Sequence, residues 1–96
     1  MDNKNSRLHA TIHGRVQGVG FRAFTASSAS RLGLKGWVRN RYNGTVETVA
    51  EGDQDSLDTF LQDLHRGPGP GNVTHVETAW LSATDEFNSF RIKMTR

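Results

Sequence analysis

The amino-acid sequence predicts an α+β fold in which two helices alternate with the strands of a mostly antiparallel sheet. Three observations lead to this prediction. Several short segments alternate apolar and polar residues, which is the pattern of half-buried strands. Two further segments repeat their apolar residues at helical spacing. Turns that contain glycine or asparagine separate these segments.

The first strand and the first helix follow each other closely. Residues 7–13 alternate, with Leu8, Ala10 and Ile12 on one face of the predicted strand. The period changes at Phe21, and the apolar stripe that follows comprises Phe21, Phe24, Ala29 and Leu32. Gly33 stands where a helix C-terminus favours a left-handed residue. The sequence therefore predicts a strand, a glycine-containing loop and a helix of about three turns.

The next two segments predict an antiparallel hairpin. Residues 34–40 and 45–51 have the pattern of strands, and the sequence between them is RYNG. Its Asn43-Gly44 pair is a strong signal for a tight turn.

The second helix has the most regular pattern in the chain. Its apolar residues are Leu57, Phe60, Leu61 and Leu64, which lie on one helical face. Asp53 or Asp55 can cap its N-terminus, and Gly67-Pro68 ends it. Residues 73–82 and 90–94 then alternate again and predict two strands, of which the last is short.

The resulting order is βαββαβ with a short final strand. Right-handed crossovers turn this order into a ferredoxin-like split βαβ sandwich, with two helices on one face of the sheet. We expect a single domain over residues 7–96 and a flexible tail at residues 1–6, because no linker or internal repeat divides the chain.

Composition and charge indicate the cellular compartment of the protein and the kind of ligand it binds. The chain contains no cysteine, which favours a reducing compartment, and it has no apolar stretch of the length that crosses a membrane. We therefore expect a cytoplasmic monomer with no membrane partner. Residues 1–50 carry eight Lys and Arg against two Asp and Glu, and residues 51–96 carry four against eight. This asymmetry indicates an anion-binding face in the first half.

The segment GRVQGVGFR at residues 14–22 joins the first strand to the first helix. Gly18 and Gly20 can adopt conformations that turn successive amides toward one point, beside the positive end of the helix dipole. A tetrahedral oxyanion is the natural ligand of such a loop. Arg22, in the first helical turn, adds a fork of charged donors. The segment therefore predicts a phosphate-binding site.

The sequence resembles the acylphosphatase family in two separated motifs, GRVQGVGFR at 14–22 and GWVRN at 36–40. The likeness continues through GTVE at 44–47, AEG at 50–52, GP at 67–68, VTHVE at 73–77 and FRIK at 90–93, and so covers nearly everything after residue 6.

This resemblance implies hydrolysis of acyl phosphates to a carboxylate and inorganic phosphate, without metal, cofactor or phosphoenzyme. It implies that Arg22 and Asn40 are the catalytic residues. It also implies a phosphate-binding loop at residues 16–22, formed by Val16, Gln17, Gly18, Val19, Gly20, Phe21 and Arg22. The chain departs from many members at Asn43 and at Arg41, which adds positive charge beside Asn40.

Other interpretations of the same residues are a turn role for Asn40 and a surface role for Arg22. The alternative function is a non-catalytic phosphate- or nucleic-acid-binding ferredoxin-like module. RNA-recognition domains share the βαββαβ order, but their third strand displays stacking aromatics. Here that strand reads TVETVAE, which has no aromatic residue and carries Glu47 and Glu51. We therefore expect no nucleic-acid partner.

Overall fold

The computed structural model describes residues 5–96. Its elements are β1 (Ser6–Arg15), α1 (Phe21–Arg31), β2 (Lys35–Asn40), β3 (Val46–Gly52), α2 (Gln54–Arg66), β4 (Asn72–Ser82) and β5 (Phe90–Ile92). The predicted order of helices and strands is confirmed. The predicted tail at residues 1–6 lies mostly outside the described residues, and β1 begins at Ser6.

The five strands form one sheet, in the order β4-β1-β3-β2-β5. Every pairing is antiparallel except that between β2 and β5. The βαββαβ order, followed by the short β5, and the mostly antiparallel sheet agree with the predicted ferredoxin-like α+β fold. Strand β5 ends at Ile92, although the alternating pattern continues to residue 94.

The core lies between one face of the sheet and the two helices. Leu8, Ala10 and Ile12 of β1 are fully buried there, as the alternation predicts. They form one cluster with helix residues that include Phe21, Ala29, Leu57, Phe60 and Leu64. Both helices therefore cover the same face, and the other face of the sheet carries the intervening polar side chains.

Local interactions define the ends of the second helix. Asp53, not Asp55, is the N-cap, and its carboxylate accepts a 3.2 Å hydrogen bond from the backbone N–H of Ser56. At the other end Gly67 has a φ of 65° and its N–H bonds the carbonyl of Asp63. The capping rules thus locate both boundaries of α2.

The connection between β2 and β3 is a tight hairpin loop of residues 42–44, in which the N–H of Gly44 donates to the carbonyl of Arg41 at 3.1 Å. The last register pair is Asn40 with Val46, and the N–H of Arg41 bonds the carbonyl of Thr45 at 2.8 Å. The Asn43 side chain accepts hydrogen bonds from the backbone N–H and the hydroxyl of Thr45. This side-chain bonding adds to the stability of the turn that the Asn43-Gly44 pair predicts.

Candidate active site

The loop between β1 and α1 is shaped by two left-handed glycines. Gly18 has a φ of 75°, and Gly20, the N-cap of α1, has a φ of 79°. A Cβ at either position would meet no heavy atom within 4 Å, so backbone conformation rather than crowding requires glycine there. No side chain caps α1, and its first turn contains no acidic residue. The positive end of this helix therefore lacks a capping anion from its own segment.

A cleft of about 290 Å³ opens at this helix end. Gly18, Gly20 and Arg22 line it on the helix side, and Asn40 lines it from the end of β2. The apolar contributors to its wall are Val16, Phe21, Ala23 and Ile92. The fold thus brings together the two residues that the sequence singled out from separate motifs.

Asn40 projects toward the helices because of its register in the sheet. It pairs with Val46, a core residue, so its side chain lies on the face that the helices cover. Within residues 5–96, the Oδ1 of Asn40 is the buried side-chain polar atom that has no hydrogen-bond partner. A buried oxygen without a donor is costly, which is a reason to expect a ligand or water to donate to it.

Arg22 is half-buried in the first turn of α1. Among residues 5–96, no carboxylate lies within ion-pair distance of its guanidinium, whereas Arg31, on the same helix, is paired with Asp63 at 2.7 Å. The positive charge at the cleft is therefore not neutralised by any described acidic residue. Together with the helix end, it makes the cleft suitable for an anion.

Two members of the predicted loop do not line the cleft. The side-chain nitrogen of Gln17 donates to the carbonyl oxygens of Arg41, at 2.7 Å, and Thr45, at 2.9 Å. Val19 packs against the hydrophobic core. The side chains of both residues hold the loop in place and do not line the cleft.

Arg41, the residue that adds charge beside Asn40, is directed toward Glu47. Its guanidinium lies 3.2 Å from a carboxylate oxygen of Glu47, which also pairs with Arg39 at 2.8 Å and His9 at 2.7 Å. Burial of Glu47 would raise its pKa, but the hydrogen bonds from His9 and Arg39 outweigh this and hold the pKa below its ordinary value. The positive charge of Arg41 is thus balanced on the outer face of the sheet.

Sequence analysis did not assign Ala23 or Ile92 to the site. Ile92 reaches it because β5 pairs in parallel with β2, which aligns Ile92 with Val38. The alternation in residues 90–94 predicts which residues share a face with Ile92, but it does not reveal the neighbouring strand. The pairing of β5 with β2 is therefore what the sequence pattern lacked for placing Ile92 at the site.

In the described part of the chain, no three His, Asp or Glu side chains converge in a way that suits a metal ion. No helix among these residues combines the length and apolarity needed to cross a membrane. The predicted absence of a metal or cofactor stays a prediction.

Comparison with known proteins agrees with this geometry. The family model for acylphosphatase matches residues 8–92. An acylphosphatase of Dehalococcoides mccartyi is 52% identical over 87 residues, which span 90% of this chain and 96% of the relative. An acylphosphatase of Salinibacter ruber is 46% identical over 87 residues, spanning 91% of this chain and 92% of the relative.

The crystal structure of a Bacillus subtilis acylphosphatase superimposes with a TM-score of 0.89 at 34% identity, covering 92% of this chain and 98% of that one. The chain therefore belongs to the acylphosphatase family, and the predicted enzyme class, an acylphosphatase hydrolase, is confirmed.

Proposed function

We propose that this protein hydrolyses the carboxyl–phosphate bond of acyl phosphates at the cleft between α1 and β2. In this proposal the loop of residues 16–22 and Arg22 hold the phosphoryl group, and Asn40 orients the attacking water. The observation that supports it most directly is the position of Arg22 and Asn40 on one cleft, with a buried, unpartnered oxygen on Asn40.

The phosphoryl group binds where positive charge is concentrated. The amides of the Gly18–Gly20 segment and of the first turn of α1 donate to its oxygens, and the Arg22 guanidinium donates two parallel hydrogen bonds. These donors are fixed before substrate arrives, because Gln17 ties the loop to the β2–β3 connection. Preorganised donors stabilise the charge that spreads over the phosphoryl oxygens during transfer.

The side-chain oxygen of Asn40 can accept a hydrogen bond from a water molecule, whereas the guanidinium of Arg22 can only donate. Water that donates to the Asn40 Oδ1 directs a lone pair toward phosphorus, and its oxygen forms the new P–O bond. The bond between phosphorus and the acyl oxygen breaks, and the carboxylate leaves with the electron pair. A carboxylate is a stable anion near neutral pH, so its departure needs no acid. The proton of the attacking water passes to an oxygen of the phosphate, since an amide is not a base.

The same acceptor distinguishes this proposal from a non-catalytic phosphate-binding module. A site that only binds phosphate needs mainly donors, whereas a buried acceptor oxygen without a donor suits a water molecule beside the anion. Glu47 and Glu51 on β3 likewise disfavour nucleic acid on the sheet.

We propose that inorganic phosphate is the product and that the protein acts as a monomer in the cytoplasm.

The test is hydrolysis of benzoyl phosphate and acetyl phosphate by the purified protein and two variants. Arg22→Ala is expected to lose phosphate binding together with activity, by on the order of 10²-fold or more in rate. The matched control, Arg91→Ala, removes an exposed arginine from the opposite sheet face, where Arg91 pairs with Trp37, and should keep wild-type rates. Near wild-type hydrolysis by folded Arg22→Ala would exclude the proposed site.

A further inference from the structure

The proposed phosphate site is bordered on the side of β5 by an apolar side chain, that of Ile92. Ile92 lines the cleft and is 50% exposed. A second cleft of about 470 Å³ is lined by Arg39 and residues 92–96 and therefore shares Ile92 with the first. Ile92 thus borders both clefts, and Met94, 88% exposed, lines the second one. A substrate held by its phosphoryl group in the first cleft would extend its acyl group toward Ile92.

Backbone hydrogen bonds hold the segment after β5 in a fixed position relative to Asn40. The N–H of Lys93 donates to the carbonyl of Val38 at 2.8 Å, and the N–H of Arg96 donates to the carbonyl of Asn40 at 3.1 Å. The segment after β5 thus continues alongside β2 past the proposed catalytic residue. Because Ile92 pairs with Val38, its side chain lies on the same sheet face as that of Asn40.

Two of the three basic residues that line the second cleft are engaged elsewhere. The Lys93 ammonium and the Arg39 guanidinium each lie 4.8 Å from the ring centre of Trp37, on the outer face of the sheet. Arg39 is also paired with Glu47 at 2.8 Å. Ile92 and Met94 are the apolar side chains that line the second cleft, and Arg96 is its remaining basic residue.

We propose that Ile92 and Met94 form the subsite for the acyl group and favour acyl phosphates whose acyl group is apolar and larger than acetyl. This inference rests on the proposed function, because it assumes that the phosphoryl group occupies the cleft at Gly18, Gly20 and Arg22. Contact with an aromatic or alkyl acyl group removes exposed apolar surface of both partners from water. A two-carbon acyl group does not extend far enough to gain this contact.

The experiment compares benzoyl phosphate with acetyl phosphate as substrates of the wild type, Ile92→Ala and Met94→Ala. The control is Leu81→Ala, because Leu81 is a surface leucine on β4 with a similar exposure of 53%. Ile92→Ala should lower kcat/KM for benzoyl phosphate by about three- to tenfold, mainly through KM, and change acetyl phosphate less than about twofold. Met94→Ala should act in the same direction by about twofold.

Each result distinguishes the subsite from the proposed function. If the wild type hydrolyses neither substrate, the proposed function itself fails. If it hydrolyses both and folded Ile92→Ala slows both equally or neither, only the acyl subsite is overturned. Thermal unfolding checks that Ile92→Ala is folded. Should it not fold, an unchanged benzoyl-to-acetyl ratio in Met94→Ala, whose exposed side chain adds little to stability, overturns the subsite.

Discussion

The side chain of Gln17 spans the gap between the glycine loop and the strand that carries Asn40: its amide nitrogen lies 2.7 Å from the carbonyl oxygen of Arg41. A second hydrogen bond, of 2.9 Å, reaches the carbonyl of Thr45, a buried residue. These bonds connect the two halves of the site through the backbone. The distance between the phosphate loop and Asn40 therefore depends on a residue that does not line the cleft.

Gln17→Ala should weaken both stability and catalysis. It removes two hydrogen bonds, although the carbonyl oxygens of Arg41 and Thr45 keep the backbone N–H groups of Gly44 and Arg41 as donors, so we expect a loss of about 1–3 kcal/mol in the free energy of unfolding. Loss of positioning should also lower kcat/KM by roughly tenfold. Urea denaturation and benzoyl phosphate kinetics measure these effects. Gln54→Ala, which removes an exposed glutamine bonded to Asp58, is the control. Unchanged stability of Gln17→Ala would show that the two bonds contribute nothing.

Asn40→Ala should separate catalysis from phosphate binding. The proposed role of Asn40 concerns water, so we expect kcat to fall by on the order of 10²-fold or more. The inhibition constant of inorganic phosphate, measured in the same assay or by calorimetry, should change little. Asn88→Ala, an exposed asparagine outside the cleft, provides the matched control. A large loss of phosphate affinity in folded Asn40→Ala would mean that its role is misassigned.

Arg41→Ala should have little effect on turnover. The guanidinium of Arg41 is directed to Glu47, which keeps its Arg39 and His9 partners in the variant. We expect kcat/KM within about twofold of the wild type and a stability change of about 1 kcal/mol or less. Steady-state kinetics and thermal unfolding test this. A change in rate of tenfold or more would place the charge of Arg41 at the reaction.

Glu51 should make stability depend on acidic pH. Its burial would raise its pKa, but the backbone N–H groups of Thr84 and Asp85, with Arg7, hold the pKa below its ordinary value. The unfolded chain binds the proton more readily, so this stabilisation is complete above the ordinary glutamate value of about 4.3 and is lost as the pH falls through the folded pKa. The advantage of the wild type in melting temperature over Glu51→Gln should therefore shrink between about pH 5 and pH 3. An advantage that stays constant over this range would contradict it.

A chelator should not change the rate of hydrolysis. In the proposed mechanism the charge on the phosphoryl group is balanced by Arg22 and backbone amides, and neither depends on an added ion. The assay is benzoyl phosphate hydrolysis before and after prolonged dialysis against EDTA. Loss of activity that a divalent ion restores would require a different mechanism.

Local sequence patterns were sufficient for most of the fold. The helical spacing of Leu57, Phe60 and Leu64 and the alternation of residues 7–13 depend on neighbours along the chain, so they predict α2 and β1 directly. Gly18 and Gly20 were informative for the same reason, because a positive φ is a local requirement. The Asn43-Gly44 pair likewise located the hairpin turn, whose loop comprises residues 42–44.

The sequence by itself determined the element order, the core faces, the glycine loop and, through its resemblance to a family, the enzyme class. Only the tertiary structure decided that Arg22 and Asn40 line one cleft and that Ile92 borders it. It also decided that Gln17 connects the two sides of the cleft and that Arg41 is directed to Glu47. These relationships join residues far apart in the chain, and the pairing of strands and packing of helices sets them, which periodicity cannot encode.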